Sequence, residues 1–187
     1  MNAAQAAQQE PGAGARSTRS GALRMGGAAA AVAAVALGGG TAGAQAPRPA
    51  AAAPRQSVTL DAARALVDAA LARAQAIGVP MSVVVVDESG VLKAFARMDG
   101  NSQASVQLVQ SKAFTANAFR APTHVLAANN AADPTRVASI AAEPNMTLLA
   151  GGYPIAAGGV VVGGLGVGGG SPQQDMEVAE AALTVLQ

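Results

Sequence analysis

Between Gly151 and Gly170 short apolar runs are cut by glycines, and this stretch constrains the fold most. Thr147 to Ala150, Tyr153 to Ala157 and Val160 to Val167 read as short strands. Gly-Gly pairs at 151–152 and 158–159 separate them, while Gly163-Gly164, Gly166 and Gly168-Gly169-Gly170 break up and follow the last one. Glycine inside a strand marks a bulge, a bend or a close approach of another backbone. The expected result is a kinked strand with a helix pressed tightly against it. Composition agrees: 51% of residues are hydrophobic but only 2% are aromatic, and there is no Trp. Small side chains bury little area each, at roughly 25 cal/mol per Å². Such a core depends on close helix–sheet approach and on subunit contacts, which predicts a homo-oligomer.

Residues 1–46 do not read as part of that domain. Arg16, Arg19 and Arg24 make a basic start, Met25 to Leu37 is uncharged and weakly apolar, and Ala44-Gln45-Ala46 is a small-x-small cleavage pattern. This is the order of an export signal, which predicts a periplasmic or secreted protein after cleavage near Ala46. The apolar stretch is too short for a stable membrane anchor. Residues 47–57, with Pro47, Pro49 and Pro54, read as a flexible linker, and residues 58–187 as one domain. From Pro47 onward nine Lys/Arg face ten Asp/Glu, so no nucleic-acid partner is expected. The absence of Cys excludes disulfides and thiolate metal sites.

Within the domain, Thr59 is a fitting N-cap for a helix whose Ala63, Leu66, Val67, Ala70, Leu71, Ala74 and Ile77 recur at helical spacing, with Gly78 closing it. Met81 to Val86 and Val91 to Arg97 read as a β-hairpin turning at Asp87-Glu88-Ser89-Gly90. Ser102 to Phe119 is a long helix, Thr123 to Asn129 a short turn, and residues 130–145 a loop. Ser171 fits an N-cap, Pro172 the first helical position and Gln174 the third residue of a capping box, opening a helix to Leu186. The order α-β-β-α-(α)-β-β-β-α predicts an α/β (α+β) fold, a mainly antiparallel sheet flanked by helices.

Two readings stand for most candidate site residues. The run 163–171 is either a structural turn or an anion-docking helix start, but it lacks the Gly-Lys-Ser/Thr of a phosphate loop. His124 is the only histidine; it is either an iron ligand or a solvated residue at a helix end, and alone it makes no structural zinc site. Tyr153 is the other iron-ligand candidate, against a packed strand residue. Lys112, in mid-helix, either snorkels to the surface or offers its cation to a ligand carboxylate. Asp87 and Glu88 sit in a turn, and no nucleophile-elbow Gly-x-Ser-x-Gly accompanies the lone His. Hydrolase chemistry is not expected.

The stretches LDAARALVDAALARAQAIGVPMSVVVVDESGVLKAFARMDG, SKAFTANAFRAPT and GGYPIAAGGVVVGGLGVGGGSPQQDMEVAEAAL, in this order and spacing, resemble the GlcG/HbpS-like haem-degrading family across nearly all of residues 58–186. The resemblance implies a five-stranded antiparallel sheet, assembly into dimers or larger rings, and haem as a cofactor. Phe114, Phe119, Pro122 and Thr123 match the family's helix-to-loop segment, and Gly158, Gly159, Gly166, Gly169 and Asp175 its glycine-rich end. Gly168 stands where members usually carry Ser. The implied function is an exported haem- or tetrapyrrole-binding protein that stores, buffers or senses its ligand. Phe114 and Phe119 would wall the macrocycle, Lys112 or the Ser171 helix start would lie near the propionates, Thr123 would be a further cofactor-binding residue, and His124 or Tyr153 would be the iron ligand. Two alternatives stay open: an enzyme of haem breakdown or of small organic acid (glycolate or diol) catabolism, and an oligomeric accessory protein for a sensor or enzyme partner.

Overall fold

The computed structural model describes residues 52–187. The expected export signal of residues 1–46 lies outside the described residues, as does the first half of the linker. Residues 52–57 run exposed and without regular structure into the domain.

Helix α1 (Leu60–Ala76) starts where predicted. The Thr59 hydroxyl accepts a hydrogen bond from Ala62 N at 3.2 Å, and Gly78 takes the left-handed conformation (φ +70°) that ends it. Its stripe of Ala63, Leu66, Val67, Ala70 and Ala74 is buried. Strands β1 (Ser82–Asp87) and β2 (Leu92–Arg97) form the expected hairpin. Helix α2 (Ala104–Phe119) follows, then the short helices α3 (Thr123–Asn130) and α4 (Pro134–Ala142). Strands β3 (Gly152–Ala157) and β4 (Val160–Gly168) lead to helix α5 (Pro172–Leu183), which tightens into a 3-10 turn at Thr184–Leu186.

The sheet has the order β2-β1-β4-β3 with every neighbouring pair antiparallel. β1 is central, and Val83 to Val86 are all buried because helices cover both faces. Val83 and Val85 join Leu66, Ile155, Leu165, Val167 and Val178 in the main core beneath α1 and α5. Val84 and Val86 face the other way and pack with Val109 and Ala113 of α2. The glycines of β4 set the distance to α2: a Cβ on Gly164 would strike the Ala113 carbonyl, and one on Gly166 the Val109 carbonyl. The helix rests on bare backbone there, the close approach that the glycine pattern predicted.

The architecture corrects the sequence reading in three places. The sheet has four strands, not five, because residues 147–150 do not pair. Thr147 N donates to the Thr115 hydroxyl at 2.9 Å and Leu149 N to the Thr147 hydroxyl at 3.2 Å, so side chains take the donors a ladder would need. The region expected as a loop contains α4, capped by Asp133, whose Oδ1 accepts from Arg136 N at 3.0 Å, with Pro134 at the first helical position and Ile140 buried. The expected turn after Pro122 is a helix of two turns, so the observed order is α-β-β-α-α-α-β-β-α. Among the described residues no helix is long and apolar enough to cross a membrane.

Candidate functional site

The candidate residues fall into two groups. Lys112, Thr123, His124 and Tyr153 gather around the start of β3, and Gly152 is the hub. A Cβ there would meet both the Lys112 carbonyl and the Thr123 methyl, so only glycine lets α2, α3 and β3 converge. Gly152 N donates to the Thr123 hydroxyl at 3.1 Å, and Thr123 is fully buried. The hydroxyl is thereby committed to backbone.

Next to it, the His124 ring lies 5.6 Å from the Tyr153 ring, centroid to centroid, tilted by 48°. His124 Nδ1 is buried and has no hydrogen-bond partner. The Tyr153 hydroxyl donates to Glu180 Oε1 of α5 at 2.6 Å. Burial, reinforced by the Glu180 carboxylate, raises the Tyr153 phenol well above its ordinary value. Iron binds the phenolate form, and this environment opposes it. The two iron-ligand candidates are therefore unequal: the imidazole is uncommitted, whereas the phenol is held protonated.

Lys112 neither snorkels nor waits for a ligand. Its Nζ donates to Asp175 Oδ2 at 2.7 Å and to the Val167 carbonyl at 2.9 Å, and both charged side chains are buried. Asp175 Oδ1 also accepts from Gly170 N at 3.0 Å. Burial raises the Asp175 carboxyl above its ordinary value although Lys112 pulls it down.

Phe114 and Ser171 lie elsewhere. The Phe114 ring covers Gly90 in the β1–β2 turn, where a Cβ would be 2.6 Å from it, so it does not face His124. Phe119 is half-buried at the last position of α2. Ser171 forms the predicted capping box: its hydroxyl accepts from Gln174 N at 3.3 Å and its N–H donates to Gln174 Oε1 at 2.9 Å. With Gly170 N on Asp175, three backbone donors that an anion would use at this helix start are already occupied. An apolar cavity of about 400 Å³ does exist, between the start of α1, β3 and β4, lined by Val58, Ala62, Ile155, Val162 and Leu186 among others. None of the expected wall residues lines it. Among the described residues no group of three or more His, Asp or Glu could hold a metal ion.

Sequence reading missed two partners, Asp175 for Lys112 and Glu180 for Tyr153. Each lies on α5, more than twenty residues from its mate, and no local spacing announces such a pair. It also missed a buried polar knot, in which Asn101 Nδ2 donates to the Ser82 hydroxyl at 3.1 Å and to the Gly168 carbonyl at 3.3 Å, with Ser105 Oγ 2.7 Å from Ser82 Oγ.

The family described as "Haem degrading protein HbpS-like" matches residues 58–184, the whole folded body from the approach to α1 through α5. The chain belongs to this HbpS-like family. A double-mutant form of the Streptomyces reticuli protein HbpS superposes with a TM-score of 0.68 at 36% identity, covering 76% of this chain and 96% of that one. A structure described as a PduOC:heme complex superposes with a TM-score of 0.65 at 30% identity, covering 70% of this chain and 96% of that one. Among curated proteins, the corrinoid adenosyltransferase PduO of Citrobacter freundii is 34% identical over 137 residues, 71% of this chain. The HbpS-like chain spans only 40% of that relative's length.

Proposed function

We propose that this chain binds haem and that, exported and freed of its first 46 residues, it stores, buffers or senses it. The observation that carries the reading is His124, the only histidine, half-exposed on α3 with Nδ1 unpartnered. The haem complex of a relative 30% identical to this chain supports it. The residues fit the group in one respect and resist it in another. An uncommitted imidazole is a competent axial ligand; Lys112 and Thr123 are spent on internal bonds. The apolar cavity begins two residues along β3 from Tyr153, at Ile155, and supplies greasy surface of the kind a macrocycle covers. Bound haem supplies the iron chemistry; the chain's own residues orient and shield it. Family assembly into homo-oligomers is part of this proposal.

The test is a hemin titration of the purified protein, followed in the visible spectrum. A saturable Soret shift is expected, and His124→Ala should change its position. A wild-type spectrum equal to that of free hemin at micromolar concentration would refute haem binding, and an unchanged variant spectrum would remove His124 as ligand.

The family's description as haem-degrading favours a second reading, haem breakdown. It requires that peroxide or a reductant with oxygen convert bound haem into a discrete product. Bleaching without such a product argues for binding alone.

A further inference from the structure

A second cavity, of about 610 Å³, opens at the C-terminal end of α2, and His124 does not line it. Its wall carries Arg55 from the segment before the domain, Glu88 from the β1–β2 turn, Asn117 and Arg120 from the end of α2, and Val160 and Val161 of β4. Three features of this wall bear on what it could hold. Arg120 is a non-glycine residue in the left-handed conformation (φ +54°, ψ +35°) where helices ordinarily end on glycine. The strained position thus carries a guanidinium rather than the residue the backbone prefers. Glu88 Oε1 accepts from Ser89 Oγ at 3.1 Å, and Ser57, with Arg55 more weakly, holds the same carboxyl below its ordinary value and so in its charged form. Asn117 spends its Nδ2 on the carbonyls of Asp87 and Glu88 at 3.2 Å each, which ties the turn to the helix and leaves its Oδ1 as an acceptor.

We infer that this cavity binds a small amino-dicarboxylate, its two carboxylates paired with Arg55 and Arg120 and its ammonium with Glu88. The charges match: two guanidiniums and one carboxylate face two carboxylates and one ammonium. Guanidinium is suited to planar, two-pronged recognition of carboxylate, and the cavity is of a size that ordinary small ligands use. The inference does not rest on haem binding.

Calorimetric titration of the full chain without haem tests it, with three probes: L-glutamate, glutarate, which lacks the ammonium, and L-glutamine, which lacks one carboxylate. L-glutamate should bind, and each analogue should bind at least about tenfold more weakly. Arg120→Gly relieves the backbone strain, so it should melt no lower than wild type yet bind L-glutamate at least about tenfold more weakly. Glu88→Gln should abolish the preference for L-glutamate over glutarate. No heat from L-glutamate at about 10 mM, equal affinity for all three probes, or wild-type affinity in a folded Arg120→Gly would each overturn it.

Discussion

Lys112 on α2 and Asp175 on α5 meet at 2.7 Å in the interior, each almost fully shielded from water, across the end of β4. The same ammonium holds the Val167 carbonyl, and the same carboxylate holds Gly170 N. Four segments on both faces of the sheet are therefore joined through one pair of charges. Taking two ions out of water is costly, and their attraction repays it only when the remaining donors and acceptors are also satisfied. Here most of them are.

Removing one partner leaves the other charge buried and alone. Lys112→Met should lower unfolding free energy by about 3–5 kcal/mol, read as a drop in urea midpoint. Combining it with Asp175→Leu should recover much of the loss, since an apolar pair of similar volume carries no desolvation cost. A double variant no more stable than Lys112→Met would show that the pair does more than neutralise itself.

The same pair sets a pH dependence with a definite sign. Burial raises the Asp175 carboxyl above its ordinary 3.8, outweighing Lys112. The folded state therefore holds this proton more tightly than the unfolded one. Its contribution to stability is full below the ordinary carboxyl value and is lost as pH rises through the elevated folded value. Urea unfolding of wild type and Asp175→Asn from about pH 3 to about pH 7 should show the asparagine variant gaining on wild type as pH rises. A gain in the opposite direction would mean that Lys112 outweighs burial.

Much of the fold was legible because it is written in local chemistry. Thr59, Gly78, Ser171 and Gln174 mark helix ends by hydrogen bonds within four residues, and all four act as read. The Asp133-Pro134 start of α4 is equally local, yet its single buried residue, Ile140, left little apolar period to notice. The imagined strand at 147–150 failed for the opposite reason. Its apolar letters suggested pairing, but Thr115, thirty-two residues earlier, takes its first donor. The site was less legible than the fold. What decides the roles of Lys112 and Tyr153 is α5, which follows the glycine-rich strand and carries their partners Asp175 and Glu180.

The close seat of α2 makes Gly166 of β4 and Gly158 of the β3–β4 turn unequal. Gly166→Ala drives a methyl into the Val109 carbonyl of α2, and backbone cannot rotate away as a side chain can. A loss of about 2–3 kcal/mol is expected. Gly158→Ala places its methyl in open space, with only the left-handed backbone (φ +56°) to oppose it, and should cost about 1 kcal/mol. Thermal melts of the two variants should rank accordingly. Equal melting temperatures would show that α2 is free to lift from the sheet.

The protein has one tyrosine and no tryptophan, so its ultraviolet phenolate band reports Tyr153 alone. Burial is the larger cause of the raised phenol value and the Glu180 carboxylate the smaller. An alkaline titration should therefore place the ionisation above the ordinary 10.0, and Glu180→Gln should lower it only part of the way. The stability that the protonated phenol contributes is complete below that ordinary value and lost at more alkaline pH, as the folded form ionises or the chain unfolds to let it. Because the phenol stays protonated near neutrality, Tyr153→Phe should leave a haem spectrum unshifted where His124→Ala moves it. A Tyr153→Phe spectrum that shifts while His124→Ala does not would transfer the iron from the imidazole to the phenolate and reverse the assignment made from their hydrogen bonds.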